Sequence, residues 1–415
     1  MTNTLTRVAP RPPTLVGEAG LGYFPIALTA RLPFAMMVVG VLTLIVSARD
    51  SLALGGITSA MTGVGTALFG PLLGAAADKF GQRRVLLITG TANSLLLIAI
   101  AWLAFTTAGD GALLALAFLI GATMPQVSPL SRSRLVGIIR RTFEGHRKAR
   151  VLSGTMAYES AADEIVFVFG PVVVGLLATT QGPAAPVIGA ALLALVFVTA
   201  FALHPTAKTP PLRDGESAEL QAPAKQLFRP ELLVTAVGAM GMGLFFGAML
   251  TSLTAFMAER GVPEQAGLVY GAMGIGSAIF ALGVAFLPVR FSLHARWLTF
   301  GAILFTASLG LMLVTSITGM ALCLLVIGIG IGPTLVTQYS LAAARSPWGR
   351  SATVMTMLGS GVIVGQSAAT ALTGIVAEAS GWNTALIAPI GAAAVVLGAG
   401  IVNHRMSLRQ VPPLS

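Results

Sequence analysis

Twelve apolar stretches of about 20 residues or more constrain the fold of this chain more than any other feature. A helix of about 20 apolar residues spans the hydrocarbon core of a bilayer. Only 10% of the 415 residues are charged, whereas a soluble domain carries about 25%. This composition excludes a soluble enzyme or nucleic-acid-binding protein and predicts an all-α membrane protein with twelve transmembrane helices. The stretches cover about residues 23–48, 52–77, 85–107, 112–138, 152–178, 184–204, 231–258, 263–289, 297–316, 318–344, 352–378 and 382–403.

A proline-rich and charged segment divides the stretches into two sets of six, and this composition is typical of a flexible connector. The segments Gly121–Pro125 and Gly328–Pro333, in the fourth and tenth stretches, both run from glycine to proline, which indicates two related halves. Two like halves are typical of transporters that work by alternating access. We predict an N-terminal tail over 1–21, six-helix bundles over 22–204 and 231–403, a linker over 205–230 and a C-terminal tail over 404–415.

The 25 lysines and arginines follow a topological pattern that explains the net charge of +10. With a cytoplasmic N-terminus, all of them lie on the cytoplasmic side except Arg31, Arg49 and Arg260. Under the positive-inside rule, this predicts a multi-pass protein of the plasma or inner cell membrane with both termini in the cytoplasm. The pattern explains the net charge without nucleic acid, and the lipid bilayer is the expected partner of the chain. Contact of the basic loop between the fourth and fifth stretches with anionic lipid is the alternative to a purely topological role of its charges. The single cysteine, Cys323, excludes a cysteine-rich metal site, and we expect no metal and no cofactor.

The loop between the second and third stretches carries a motif with a clear resemblance. It closely resembles the signature loop of the major facilitator superfamily, which joins the same two helices. The resemblance implies the major facilitator fold, with two pseudo-symmetric six-helix halves, and a role for the loop in closing the cytoplasmic side. The matching positions are Gly74, Asp78, Lys79, Gly81, Arg83 and Arg84.

The residue types of this loop also have a physical role. Gly81 permits a tight turn between two helices, and the Asp78 carboxylate can bind a helix N-terminus or a nearby arginine. We expect its target at the start of the eleventh stretch, where Ser351 resembles an N-cap residue. The resemblance implies that this contact holds the cytoplasmic side shut while the outside is open.

A second motif lies in the fifth stretch, where Gly170 and Pro171 are followed by Gly175. It resembles the Gly-Pro motif of the proton-antiporter branches of the superfamily, which export their substrates, although the final glycine pair is shortened to one. A Gly-Pro pair bends a helix and leaves a smooth packing surface. Drug exporters of the superfamily also carry an arginine four residues before the glycine of the fourth helix, where this chain has Ala117. That difference disfavours a standard drug–proton mechanism.

Few ionisable residues lie deep in the predicted helices, and each is a candidate functional group because a charge at the bilayer centre costs about 2.5–3.5 kcal/mol. They are Arg31 in the first stretch and Glu159, Asp163 and Glu164 in the fifth. Arg31 can pair with Glu159 or with Asp163, which lie one helical turn apart. Adjacent carboxylates favour a site that binds and releases protons, and the alternative is a static salt bridge between helices. Arg132, near the inner end of the fourth stretch, would reduce the excess of acids if it reached this site.

Polar and flexible side chains near the middle of several stretches are candidates for a substrate cavity between the halves. Met and Phe suit apolar ligands of variable shape, although a stripe of Met and Phe also fits packing against lipid or other helices. The candidates are Gln126, Met242, Phe245, Phe246, Gln338, Tyr339 and Gln366.

Together these features predict a monomeric secondary active transporter that exports a small organic molecule, lipophilic or drug-like, in exchange for protons. Asp163 and Glu164 would carry the proton, with Glu159 and Arg31 beside them. The alternatives are a uniport or proton-symport permease for a small metabolite such as a sugar, and a non-transporting membrane receptor. We do not expect an enzyme, because no nucleophile–base pair and no set of metal ligands lies at depth.

Overall fold

The first half of the chain is built from α-helices joined by short turns. The computed structural model describes residues 13–49, 51–208, 222–262, 266–288 and 290–409, and the regular secondary structure within them is helical. A π-helix over Ala194–Val198 joins the last two helices of this half. These helices are α1 (Leu15–Ala19), α2 (Tyr23–Thr29), α3 (Leu32–Arg49), α4 (Leu52–Phe80), α5 (Gln82–Leu103), α6 (Asp110–Ala122), α7 (Val127–Thr142), α8 (Gly145–Gln181), α9 (Ala185–Leu193) and α10 (Thr199–Leu203).

The second half contains fewer and longer α-helices. A short 3₁₀-helix, Ala224–Phe228, precedes them in the predicted linker, of which residues 209–221 lie outside the described part. The long helices are α11 (Pro230–Ala258), α12 (Ala266–Gly283), α13 (Leu293–Leu309), α14 (Ile317–Arg345), α15 (Ser351–Ala385) and α16 (Ile387–Arg409). The last helix includes the first six residues of the predicted C-terminal tail, 404–409. The predicted division of the chain into tails, bundles and linker stays a proposal.

The predicted fold class, a twelve-helix membrane protein in two six-helix halves, is confirmed. In the described part of the chain, eleven helical segments are long and apolar enough to cross a membrane, and they correspond to all the predicted stretches except the fifth. The predicted fifth stretch lies in α8, which has 37 residues and is therefore about 55 Å long. The predicted eleventh and twelfth stretches meet at Gly381, whose φ of 78° interrupts the helical path within α15. The chain is thus a multi-pass membrane protein.

Two of the predicted spans are interrupted, and both interruptions have a proline nearby. The first span breaks between α2 and α3, because Pro33 cannot donate a hydrogen bond to the carbonyl of Thr29 and its ring crowds that turn. The fourth span breaks between α6 and α7, where Pro125 disfavours a helical conformation at Met124. The breaks bring Arg31 and the segment after Pro125 to the wall of one cavity, described below.

The core forms in each half and continues across the boundary between them. Buried side chains such as Met36 and Leu97 pack in the first half, and Phe245 and Ile331 lie in the main cluster of the second half. Met156 of α8 belongs to the cluster of the second half, so the two halves are in direct contact there. Within a bilayer, such packing is stabilised by van der Waals contact and close backbone approach.

Helices α4 and α15 form the closest seam between the halves. Three glycines of α4 face small polar residues of α15, and a Cβ atom added at any of them would collide with the opposite side chain. The missing side chains therefore allow the two helices to approach closely. The facing pairs are Gly63 with Ser367, Gly70 with Ser360, and Gly74 with Thr356.

Further contacts join the halves at one end of the molecule. We call it the basic end, defined by the turn between α4 and α5 that exposes Arg83. Here Arg296 donates a hydrogen bond to Ser153 Oγ at 3.2 Å, and Arg140 donates to the carbonyl of Ala343. The two halves are thus closed against each other at the basic end.

Candidate transport cavity and gate

A buried charge cluster lies between α7, α8 and the break that separates α2 from α3. Arg31 stands in that break and is only 3% exposed. Its Nη2 lies 2.5 Å from Glu159 Oε2, and its Nη1 lies 3.2 Å from Asp163 Oδ1. The sequence left open which acid pairs with Arg31, and the structure shows that it contacts both, because the two acids lie one turn apart on α8.

A second arginine completes the cluster from α7. Arg132 is 2% exposed, and its Nη2 lies 2.6 Å from Asp163 Oδ2. Its Nη1 donates to Ser128 Oγ, one turn earlier on the same helix. Arg132 thus reaches the site and reduces the expected excess of acids over deep arginines. Two arginines face two carboxylates, and their charges sum to zero when both acids are ionised.

The two carboxylates of the cluster differ in their access to solvent. Glu159 is fully buried, and besides Arg31 it accepts a hydrogen bond from Ser131 Oγ at 2.9 Å. Ser131 is in turn 2.7 Å from the hydroxyl of Tyr23. The Asp163 side chain is 21% exposed and accepts a further hydrogen bond from Ser128 at 2.8 Å. Glu159 is thus held in a closed network, whereas Asp163 reaches a cavity.

Two other predicted groups of α8 are described only in part. The side chains of Glu164 and Pro171 lie outside the described residues, although the helix runs through both positions. Gly170 packs closely on α3, since a Cβ there would lie 2.5 Å from the Cβ of Ala35. A Cβ at Gly175 would meet no atom within 4 Å. The helix is continuous from Gly145 to Gln181 through this motif.

The cavity beside Asp163 has a volume of about 120 Å³ and lies between the two halves. Arg31, Arg132 and Asp163 form its charged wall. Its second-half wall includes Tyr339, whose ring lies under the Arg132 guanidinium at 3.8 Å from the ring centroid. The remaining walls are largely apolar. They include Pro33, Phe34, Met37, Met124, Val127, Pro129, Val166, Val198, Val362 and Ile363.

Of the predicted cavity residues, Gln126 and Tyr339 line this cavity. Met242 and Phe245 are fully buried in the core of the second half, with Phe246 packed against it, so the alternative of helix packing applies to this group. Gln338 is fully buried as well and lies against Gly238, which faces Trp297. Gln366 is half-buried on α15, where its backbone carbonyl meets Gly247 of α11.

The loop motif makes a defined contact with the second half. Asp78 Oδ1 accepts a hydrogen bond from the amide of Ala352 at 3.0 Å. Its Oδ2 accepts from the amide of Thr353 at 2.7 Å and from Thr353 Oγ1 at 2.6 Å. These amides belong to the first turn of α15, where a carboxylate also interacts favourably with the helix dipole. An acid of the first half therefore caps a helix of the second half.

The local geometry of the motif differs in one detail from the expectation. Ser351 is the first residue of α15 and not its N-cap, a position taken by Arg350, whose side chain makes no capping hydrogen bond. Asp78 replaces that missing cap. Gly81 has a φ of 87°, which favours glycine, and the exposed Lys79 lies over the ring of Phe80. Arg83 and Arg84 are exposed at the start of α5.

Sequence reasoning missed several polar residues of the site. Ser128 and Ser131 follow the break before α7, and Thr353 follows the start of α15. In the sequence, these residues are marked only as hydroxyl residues one turn from an arginine or at a helix start. This signal is weak when the neighbouring helix is unknown.

Comparison with known proteins identifies the family. The Major Facilitator Superfamily matches residues 20–357, so the chain belongs to this superfamily. It has the fold of a transporter, which also distinguishes it from an enzyme. A comparison with curated protein sequences finds no match.

Solved structures of transporters share the fold at low sequence identity. A bacterial homologue of the iron transporter ferroportin, in an outward-facing state, is 14% identical, with a TM-score of 0.73 over 95% of this chain and 100% of that one. The human organic anion transporter MFSD10 is 17% identical, with a TM-score of 0.69 over 94% of this chain and 100% of that one. The E. coli fucose:proton symporter FucP is 14% identical, with a TM-score of 0.63 over 91% of this chain and 98% of that one.

Proposed function

We propose that the protein is a secondary active transporter of a small organic molecule and that it couples this transport to protons through Asp163. The observation that carries the proposal is the position of this carboxylate. Asp163 contacts both buried arginines and also faces the cavity between the halves. A group that exchanges a proton with the transport path must be reachable from that path, and Asp163 meets this condition, whereas Glu159 is fully buried.

Alternating access requires a gate, and Asp78 supplies one at the basic end. Its hydrogen bonds to the first turn of α15 hold α4 against the second half. We propose that the basic end is cytoplasmic, in agreement with the positive-inside rule, in a plasma or inner membrane. The monomer is the proposed working unit, because the cavity is enclosed by the two halves of one chain.

Two directions of coupling are candidates. Export in exchange for protons is favoured by the Gly170 and Pro171 motif and by the apolar walls of the cavity, which suit a lipophilic molecule. Arg132 balances the charge of Asp163. This balance favours movement of substrate and proton in the same direction. The similar solved structures are of an organic anion transporter, a homologue of an iron transporter and a fucose:proton symporter, so they differ in substrate.

A reconstituted system tests the proposal. Proteoliposomes with a pH-sensitive dye inside would be exposed to a panel of lipophilic cations, organic carboxylates, sugars and amino acids. We expect one class to move protons across the membrane with wild type, and the sign of the pH change gives the direction of coupling. The same signal should be absent in Asp163→Asn and retained in Asp110→Asn, since Asp110 is 63% exposed and does not line the cavity. Normal proton-driven transport by Asp163→Asn would exclude this role for Asp163.

A further inference from the structure

The two arginines of the cavity have hydrogen-bonding capacity that the protein does not use. The Nε–H groups of Arg31 and Arg132 are buried and donate to no acceptor among the described residues. Both side chains line the cavity, and both are less than a tenth exposed. A buried guanidinium with an unused donor is costly unless another group accepts from it. This arrangement favours a ligand that brings acceptor oxygens into the cavity.

The geometry at Arg132 also suits such a ligand. Its guanidinium is stacked on Tyr339 of the second half, so its donors point outward in the plane of the group. A planar guanidinium binds carboxylates and similar acids through two parallel hydrogen bonds. The apolar walls, with Phe34 and Met37 among them, would contact the remainder of the molecule.

The charge balance decides between a cationic and an anionic ligand. Asp163 is already neutralised by Arg31 and Arg132, so an added cation would leave a positive charge uncompensated in a site of low polarity. An added anion would leave a negative charge uncompensated, unless Asp163 takes up a proton. An anion that binds together with a proton keeps the cluster neutral. This combination avoids the cost of burying an unpaired charge.

We propose that the substrate is a small organic anion with an apolar body, whose acidic group binds Arg132 and Arg31 in place of the Asp163 carboxylate while Asp163 becomes protonated. In this step one proton adds to the carboxylate, and no other bond forms or breaks. Ser128 remains beside the protonated acid. The inference rests on the proposed function and makes substrate and proton move in the same direction. Among the described side chains, the charged and titratable groups near Asp163 are Arg31 from the α2–α3 break, Arg132 from α7, Tyr158 and Glu159 from α8, and Tyr339 from α14.

Binding of size-matched probes tests the charge preference. Purified protein in detergent would be titrated by calorimetry with benzoate and octanoate, and with benzyltrimethylammonium as the matched cation, in two buffers of different ionisation enthalpy. We expect both carboxylates to bind, the cation not to bind, and about one proton to be taken up per bound anion. As the pH falls from about 8 to about 6, the affinity for benzoate should rise by up to about tenfold per pH unit, because proton and anion bind together.

Variants separate the two parts of the inference. Arg132→Gln should weaken benzoate binding by about tenfold or more, whereas Arg229→Gln, an exposed arginine at the start of α11, should bind as wild type does. Asp163→Asn should bind benzoate without proton uptake and without pH dependence. If Arg132→Gln fails to fold, the wild-type titrations with the two carboxylates and the cation still test the charge preference.

Each outcome has a definite meaning. Binding of the cation in preference to both carboxylates, or no carboxylate binding by wild type and by Asp163→Asn, would overturn the anion inference. If the cation binds preferentially and its binding releases a proton, this result would still support the proposed function, as exchange of substrate for protons. Benzoate binding that needs Arg132 but takes up no proton would support the anion site and contradict proton coupling through Asp163.

Discussion

The pair Arg31 and Glu159 shows how one buried contact fixes the geometry of the whole site. Glu159 is fully buried and Arg31 is only 3% exposed, so Glu159 depends on Arg31 for compensation of its charge, and Arg31 depends on Glu159 and Asp163. A buried ion pair gives little net stability compared with apolar residues of the same size. Removal of one partner, however, leaves an uncompensated charge. This pair therefore holds the α2–α3 break against α8 and orients Arg31 toward Asp163.

Glu159→Gln should reduce the free energy of unfolding by about 3–5 kcal/mol, because it leaves Arg31 buried with one fewer anionic partner. The measurement is thermal or denaturant unfolding in a mild detergent. The double variant Arg31→Gln with Glu159→Gln should recover part of this loss. As a control, Asp110→Asn removes an ion pair of 4.0 Å on an exposed side chain and should cost less than about 1 kcal/mol. A similar cost for Glu159→Gln and Asp110→Asn would contradict the structural role of the buried pair.

The sequence predicted the residues of this pair because charges are rare in apolar helices and hence conspicuous. It could not predict the depth of Arg132. That depth depends on the break between α6 and α7, and Pro125 signals the existence of a break but not the direction of the helix after it. The sequence therefore left open how far Arg132 reduces the excess of acids at the site.

At the level of elements, the contact between α4 and α15 is a helix cap supplied by another helix. The first turn of an α-helix has amides without internal partners, and Arg350 at the N-cap position leaves them open. Asp78 accepts from two of these amides. The cap of α15 therefore exists only while the two halves are together at the basic end, which links the local stability of one helix to the state of the gate.

Asp78→Asn should accelerate hydrogen exchange of the amides of Ala352 and Thr353 by about 10- to 100-fold. Hydrogen bonds to a charged group contribute about 1.5–3 kcal/mol, and the asparagine retains only one acceptor oxygen. Exchange measured by mass spectrometry over the first turn of α15 provides the test. Glu378→Gln, an exposed change at the other end of the same helix, should leave this exchange rate unchanged. Equal rates in wild type and Asp78→Asn would show that the cap does not control the helix start.

The target of Asp78 was predictable because a helix start after a basic turn is visible in the sequence. The surroundings of the α11 side chains were not predictable from the sequence. This helix is apolar on all sides, so periodicity cannot tell a core face from a cavity face. Met242 and Phe245 consequently appeared as cavity candidates, although they belong to the core of the second half.

At the level of the whole molecule, the glycines of α4 set how closely the two halves can approach. The seam extends from Gly63 to Gly74 and includes backbone contact near the basic end, where the carbonyl of Ala352 lies 2.9 Å from the position of a Cβ on Gly74. Any side chain at this position must separate the helices. The closed arrangement at the basic end is thus specified by the lack of side chains as well as by polar contacts.

Gly74→Ala should shift the molecule toward the arrangement that is open at the basic end. Overpacking costs about 1–3 kcal/mol, which corresponds to about a 5- to 150-fold change in the ratio of the two states. Spin labels at the exposed positions Arg141 and Arg405, one in each half, in a Cys323→Ser background, would report the distance between the halves.

The matched control for this experiment is Gly56→Ala, on the same helix, because a Cβ there meets no atom within 4 Å. We expect a distance distribution like that of wild type for this control and a larger share of long distances for Gly74→Ala. Identical distributions for both variants would show that α4 and α15 tolerate a side chain in the seam.

The neutral sum of the four buried side chains in the cluster has an electrical consequence. A unit charge that crosses the membrane with a moving helix gains or loses about 2.3 kcal/mol per 100 mV of membrane potential. Arg31, Arg132, Glu159 and Asp163 together carry no net charge when both acids are ionised. Reorientation of the unloaded protein therefore moves no net charge from this cluster, and the voltage across the membrane neither assists nor opposes that step through these four residues.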